Sequence, residues 1–228
     1  MSAVEKVPCS VTSGPLVVAD TAGPLVVADT AGRRALDVLA ASVGLVASSP
    51  LLLAVSVAVR LGSPGPALFR QERVGVDGTP FTMLKFRTMR TDAETAGPAV
   101  SGNDDPRVTR VGALLRKTKL DELPQLVNVL RGDMTLIGPR AEVPQYVEHF
   151  TAEERETLSV RPGLTGPGGI WFTVSQAAEL DGASDPEQVY VERQLHEKLA
   201  LDLDYLRSRT LLRDLRILVQ TVAVAVRR

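Results

Sequence analysis

Cysteine occurs once in the 228 residues, at Cys9, and histidine only at His149 and His196. A single thiol closes no internal disulfide. Two histidines far apart in sequence form no ligand motif. The scarcity of both argues against a transition-metal centre and leaves oxygen ligands around a hard cation as the remaining metal chemistry. Aromatic residues are only 4% of the chain, which argues against a stacking surface for single-stranded nucleic acid. Neither sign of charge prevails: 26 Lys and Arg against 27 Asp and Glu give a net charge of -1, so no global basic field points to nucleic acid. The length suffices for one sizeable core, or for a core plus a membrane segment.

The chain begins with a duplication. Residues 14–22 read GPLVVADTA, and residues 23–31 repeat that unit without change. Two copies are too few for a solenoid, which needs about three. Residues 1–32 are therefore expected to be a disordered leader. Acidic residues, and the lack of a long apolar run beside a basic start, speak against a secretory signal.

The strongest hydrophobic feature follows. The 22 residues from Val38 to Val59 carry no charge. As a straight helix they would reach ~33 Å, enough to cross a hydrocarbon core. Ser48-Ser49-Pro50 interrupts the run at its middle. Proline removes a backbone donor and kinks a helix, and serine hydroxyls can satisfy the freed carbonyls. Arg33 and Arg34 flank one end and Arg60 the other. A single pass usually carries its positive charge on one side, whereas charge at both ends suits a hairpin that returns to its starting face. Taken alone, the run favours a kinked single pass; a buried helix of a soluble protein is a further reading.

Ser63-Pro64-Gly65-Pro66 stops that helix. Ala67–Arg73 and Thr79–Phe86 flank Val76-Asp77-Gly78, a β-hairpin signal. Residues 91–106 read as a loop. Helices are expected over Val108–Lys119, Asp121–Leu130, Glu142–Phe150, Ala152–Val160, Pro186–Leu206 and Leu211–Val226. Met134–Ile137 is strand-like, and Arg161–Gly169 reads as a loop. The last helix is amphipathic and basic, suited equally to an anionic membrane surface and to packing on the core.

Chemistry concentrates at Lys119-Leu120-Asp121-Glu122-Leu123-Pro124-Gln125-Leu126. Asp121 and Glu122 are expected to open a helix with Pro124 in its first turn, where the helix dipole keeps a carboxylate ionised. An ionised aspartate can attack phosphorus and form an acyl-phosphate, dividing one displacement into two. A neighbouring glutamate could help hold magnesium or manage a proton. The simpler alternative is that Asp121 caps the helix. Four cationic clusters lie at turns and loop edges: Lys85-Phe86-Arg87, Arg116-Lys117, Gly138-Pro139-Arg140 and Arg161-Pro162-Gly163. Singly, each suits a solvated surface. Together they suit a diphosphate, whose oxygens arginine grips with a planar fork.

These stretches carry a resemblance. RRALDVLAAS, SPGPALFRQERVG, FTMLKFRTM, DPRVTRVGALLRKTKLDELPQLVNVLRGDMTLIGPR, RPGLTG and LDYLRSRTLLRDLRILVQT, running from Arg33 to the C-terminus, resemble the bacterial sugar transferases, the monotopic polyprenyl-phosphate phosphoglycosyl transferase family. The likeness is to the minimal catalytic form, without the multi-span region of larger relatives. Two features depart from the family pattern. Ala141 stands where a proline is common, and Gly166-Pro167-Gly168-Gly169 is unusually glycine-rich; both bear on sugar specificity more than on chemistry.

The resemblance implies an α+β, mainly helical fold: a monotopic membrane protein with a re-entrant helix broken at Ser49 and Pro50 (residues 33–62), a small β-hairpin and interfacial amphipathic helices, with residues 63–228 as a cytoplasmic catalytic domain. It implies transfer of a sugar-1-phosphate from a UDP-sugar to undecaprenyl phosphate, releasing UMP, as the first membrane step of exopolysaccharide, O-antigen, capsule or glycoprotein glycan synthesis. Asp121 would be the nucleophile and a Mg2+ ligand, and Glu122 would complete the dyad. Lys85, Arg87, Arg116, Gln125, Pro139, Arg140 and Arg161 would bind substrate. The expected setting is the cytoplasmic face of a bacterial inner membrane. A second copy of the chain and downstream glycosyltransferases would be further partners, and nucleic acid would not. The alternative is a catalytically silent scaffold for glycan-assembly enzymes.

Overall fold

The computed structural model describes residues 30–93, 95–98, 100–102, 105–181 and 183–227. The expected leader as far as residue 29, with nearly all of the duplicated unit, lies outside the described residues. Helix α1, Ala31–Gly62, starts two residues before the expected boundary at Arg33, and Thr30 Oγ1 caps it by accepting from the Arg33 amide at 3.4 Å. It is one helix of 32 residues with Pro50 inside, where a helix-break-helix was expected. Pro50 has no N–H to offer the Val46 carbonyl; the Ser49 hydroxyl donates to that carbonyl instead, at 2.8 Å. The serine compensation read from the sequence is thus present. Among the described residues this is the one helix long and apolar enough to cross a membrane, and only 11% of its most apolar stretch is buried. A helix enclosed in a soluble core does not look like this: Leu39, Val43, Val46, Leu53 and Leu61 are all well exposed.

Both ends of α1 are fastened to the same body. Arg34 donates to the carbonyls of Val129 and Leu130 at 2.6 and 2.9 Å. Asp37 accepts from Thr135 Oγ1 at 2.6 Å and from the Leu136 amide at 3.1 Å. Near the other end, Val55 and Val59 pack against Phe86 and Leu115. Arg87 donates to the Ser63 carbonyl at 2.8 Å and also bonds the Pro64 carbonyl, pinning the turn after α1.

The predicted hairpin is present. Strands β1, Leu68–Val74, and β2, Pro80–Phe86, pair antiparallel from Leu68 opposite Phe86 to Val74 opposite Pro80. Their connection needs positive φ at Asp77 and Gly78, residues that tolerate it. Helix α2, Arg110–Thr118, and helix α3, Gln125–Arg131, follow, with a single tight turn, Leu120–Glu122, between them. The expected helix from Asp121 therefore starts at Gln125. Pro124, without a donor, separates the turn from α3.

Arg161–Gly169, read as loop, instead supplies strand β4, Gly163–Thr165, parallel to β3, Thr135–Ile137. No sequence window of three residues announces such a strand. Helix α4, Pro144–Val147, is shorter than expected, and α5, Pro167–Trp171, grows from the glycine-rich stretch. The helix expected over Pro186–Leu206 divides into α6, Pro186–Val189, a wide π turn, Tyr190–Gln194, and α7, Leu195–Arg207. The main core gathers Val74, Val143, Tyr146, Phe150, Tyr190, Leu195 and Leu199. Helix α8, Leu211–Arg227, buries Asp214 and Ile217 and leaves Leu211, Leu212, Leu215, Val219 and Val222 exposed. Its apolar stripe is therefore uncovered along most of its length, like that of α1.

Candidate active site

The acid pair is positioned by how α2 ends. Thr109 caps the start of that helix, its hydroxyl accepting from the Gly112 amide at 2.9 Å. Lys119 ends it in the left-handed region, at φ 58°. The following turn carries Asp121 and Glu122 into a cavity of about 530 Å³. Asp121 is 8% exposed, and its Oδ1 is buried without a hydrogen-bond partner. Glu122 Oε1 accepts from Arg140 Nη2 at 2.5 Å.

The cavity gathers residues from distant parts of the chain. Of the expected site residues, Lys85, Arg116, Asp121, Glu122 and Arg140 line it, as does Lys117. Arg116 Nη2 donates to Ser101 Oγ at 2.7 Å, while its Nη1 is buried without a partner. The others lie elsewhere. Arg87 holds the turn after α1. Arg161 Nε donates to the Gly132 carbonyl at 2.8 Å. Gln125 is buried at the start of α3, and neither of its carboxamide atoms has a hydrogen-bond partner. Pro139 lines a smaller adjoining cavity with Val74 and Phe150. Ser49 and Pro50 remain on α1, away from the cavity.

Electrostatics divide the two acids. Burial pushes Asp121 up to about 6, helped by the neighbouring Glu122 charge and opposed by Lys85, Lys119 and Arg140. The helix-dipole expectation is thereby corrected: the turn precedes α3, and desolvation dominates. Burial alone would also raise Glu122, but Arg140, Lys119 and Lys85 outweigh it and hold that carboxyl well below its usual range. Burial, together with Arg140, brings Lys85 down to about 7. Burial thus works against the charge on Asp121 and on Lys85, while the surrounding cations favour the charge on Glu122. Such divergence between adjacent carboxylates is characteristic of functional sites.

A buried carboxylate with an open oxygen, ringed by cations on a tight turn, suits attack on a phosphorus centre and charge neutralisation around it. Residues 28–228 match the family described as bacterial sugar transferase. The chain belongs to that family. Among relatives of this bacterial sugar transferase, the UDP-glucose:undecaprenyl-phosphate glucose-1-phosphate transferase of Caulobacter vibrioides is 42% identical over 193 residues, covering 83% of this chain and 68% of the relative. The exopolysaccharide production protein PSS of Rhizobium leguminosarum is 36% identical over 197 residues, covering 83% of this chain and 92% of the relative. The UDP-N-acetylgalactosamine-undecaprenyl-phosphate N-acetylgalactosaminephosphotransferase of Aeromonas hydrophila is 38% identical over 193 residues, covering 83% of this chain and 42% of the relative.

Several residues around the cavity were not among the expected site residues. Arg73, Lys119, Glu142, Tyr190 and Lys198 all line the cavity. Lys198 donates to Glu142 and, at 2.6 Å, to the Tyr190 hydroxyl, which donates to Glu142 at 2.8 Å. Arg73 lies 3.8 Å from the other Glu142 oxygen. Burial would raise Glu142, but Lys198 and Arg73 hold it low. Only the place of Glu142, two residues after Arg140, could have signalled it.

Behind the cavity wall Asp202 is fully buried and accepts from the Gly168 amide at 2.9 Å. Burial raises it to about 6 from an ordinary 3.8. Its proton is held more tightly in the folded than in the unfolded chain, so stability falls as pH rises between these values and stays lower above them. Asp202→Asn keeps one acceptor oxygen, for the Gly168 amide, and removes the charge. It is expected to stabilise the protein by up to about 3 kcal/mol at pH 8, with the gain vanishing near pH 4. Thermal unfolding of both proteins across that range reads the effect.

Proposed function

We propose that this chain transfers a sugar-1-phosphate from a UDP-sugar to undecaprenyl phosphate at the cytoplasmic face of a bacterial inner membrane, as an early step of exopolysaccharide synthesis. The observation that carries the reading is the buried Asp121 carboxylate, with one oxygen unpartnered, set among Lys85, Lys119 and Arg140. An oxygen of Asp121 bonds to the β-phosphorus of the donor while the bond from that phosphorus to the α–β bridging oxygen breaks. The bridging oxygen keeps the electron pair and leaves with UMP. A phosphate oxygen of undecaprenyl phosphate then bonds to the same phosphorus, the acyl-phosphate bond breaks, and Asp121 returns as a carboxylate. Arg140, Lys85, Lys119 and Arg116 neutralise the diphosphate, and Glu122 orients Arg140 through their ion pair.

The site also suits magnesium. That ion accepts one or two carboxylates and completes its shell with water and substrate phosphate. The open Asp121 oxygen offers such a ligand, and no group of three or more His, Cys, Asp or Glu among the described residues forms a closed cage. Bound there, magnesium would supply charge neutralisation at the donor diphosphate.

The fastening of both ends of α1 to one body supports a monotopic placement, with both ends on one face of the membrane. If α1 crossed the bilayer completely, its two ends would face opposite sides, and one cytoplasmic body could not hold Arg34 and Val59 together. The exposed stripes of α1 and α8 supply apolar surface for the lipid. Protease or thiol-probe accessibility of tags at the two termini tests this, and both are expected on the cytoplasmic side; tags on opposite sides would reject the monotopic placement. The activity is tested by supplying detergent-solubilised protein with magnesium, undecaprenyl phosphate and a panel of UDP-sugars. At least one sugar should release UMP, and no release with any sugar would reject the transferase reading.

A further inference from the structure

Resting on the donor reading above, we propose that the aromatic end of the cavity, with Phe172 on its wall, receives the sugar ring of the UDP-sugar rather than the uracil. The cavity lining includes Ser101, Gly102, Arg116 and Lys117, and also Tyr146, Phe172 and Tyr190 beside Glu142 and Lys198.

The ring geometry separates the two ligands. Tyr146 and Tyr190 lie 4.9 Å apart, centroid to centroid, at 51°, and Phe172 meets Tyr190 edge-on at 5.7 Å and 88°. Neither contact is parallel, so these rings meet as a cup around Tyr190 and not as the flat slot that sandwiches a planar base. A pyranose is thick, with C–H faces that pack on aromatic rings and hydroxyls around its rim that both donate and accept. The cup supplies an ammonium at Lys198, a hydroxyl at Tyr190 and an ionised acceptor at Glu142, all joined in one buried network. A preorganised set of donors and acceptors rejects a ring whose hydroxyls do not match, because buried groups are then left unpaired.

The cup is also tied to the chemistry. Phe172 precedes Thr173, whose hydroxyl accepts from Lys119 Nζ at 3.2 Å, and Lys119 stands two residues before Asp121. Gly169, on the same wall, leaves room beside Arg140: a Cβ there would come no closer than 3.7 Å to Arg140 Cδ. The glycine-rich stretch that departs from the family pattern thus lies where a sugar ring would meet the phosphate-binding arginine.

The test separates sugar from base on the full chain in detergent. Phe172→Ala is expected to raise KM for the UDP-sugar that turns over in the unchanged protein by about tenfold or more. UMP affinity, measured by calorimetry, is expected to stay within about twofold, since UMP lacks the sugar. A parallel loss of UMP affinity would assign the cup to uracil and overturn the proposal. No change in either quantity would show that this wall does not bind donor and would also overturn it. If the alanine variant fails to fold, Phe172→Leu keeps most of the volume without the aromatic face, and the same split is expected. Failure of the unchanged protein to bind UMP would instead reject the donor reading itself.

Discussion

Asp121→Asn is expected to lower UMP release by about four orders of magnitude or more, while the protein stays folded and membrane-bound. Losing a covalent nucleophile removes an entire two-step route, and residual turnover then comes from binding and charge neutralisation alone. The substitution preserves shape and exchanges one acceptor oxygen for an amide donor. It also removes a charge that burial disfavours, since Asp121 already sits near 6 in the folded protein. Thermal stability should therefore be unchanged or slightly raised, so inactivity could not be blamed on unfolding. Intact-protein mass spectrometry after rapid quenching with donor alone provides the direct readout. The unchanged protein should gain one sugar phosphate, and the variant none. An active Asp121→Asn protein would remove Asp121 from the nucleophile role.

Arg140→Ala is expected to act on both stability and rate. The guanidinium is the strongest influence holding Glu122 ionised against its burial, and the pair is mostly enclosed. Taking away one partner strands a carboxylate at a desolvated position, a loss of about 3 kcal/mol. On the proposed mechanism, loss of a preorganised cation beside the donor phosphate should lower kcat about 10²–10³-fold. The double variant Arg140→Ala, Glu122→Gln separates the two effects. It should recover most of the stability, because no charge is left stranded, and little of the rate. Recovery of both would mean that Arg140 serves the fold alone.

Much of this protein was legible because its signals are local. The uncharged run over Val38–Val59, the Asp-Gly hairpin and the helical spacing of α2 report their own conformations through periodicity and breakers. The adjacency of Asp121 and Glu122 within a long motif pointed to the acid pair that lines the cavity. The register of small elements was less legible. Strand β4 exists because Gly163 and Thr165 find Thr135 and Ile137 in a distant segment, and three residues carry no period of their own. Helix α1 runs on through Pro50 because Ser49 replaces the missing donor, a compensation the sequence permits without requiring.

The sequence by itself determined which residue types were available: two adjacent acids, scattered cations, a long apolar helix and almost no soft metal ligands. Tertiary structure alone decided which of them meet. Lys85 and Arg140 converge on Asp121, whereas Arg87 and Arg161 bond backbone carbonyls elsewhere. Glu142, Tyr190 and Lys198, up to 56 residues apart, close into one network. The same step decided protonation. A carboxyl's charge depends on the water and charges around it, so Asp121 rises and Glu122 falls although the two are neighbours in the chain.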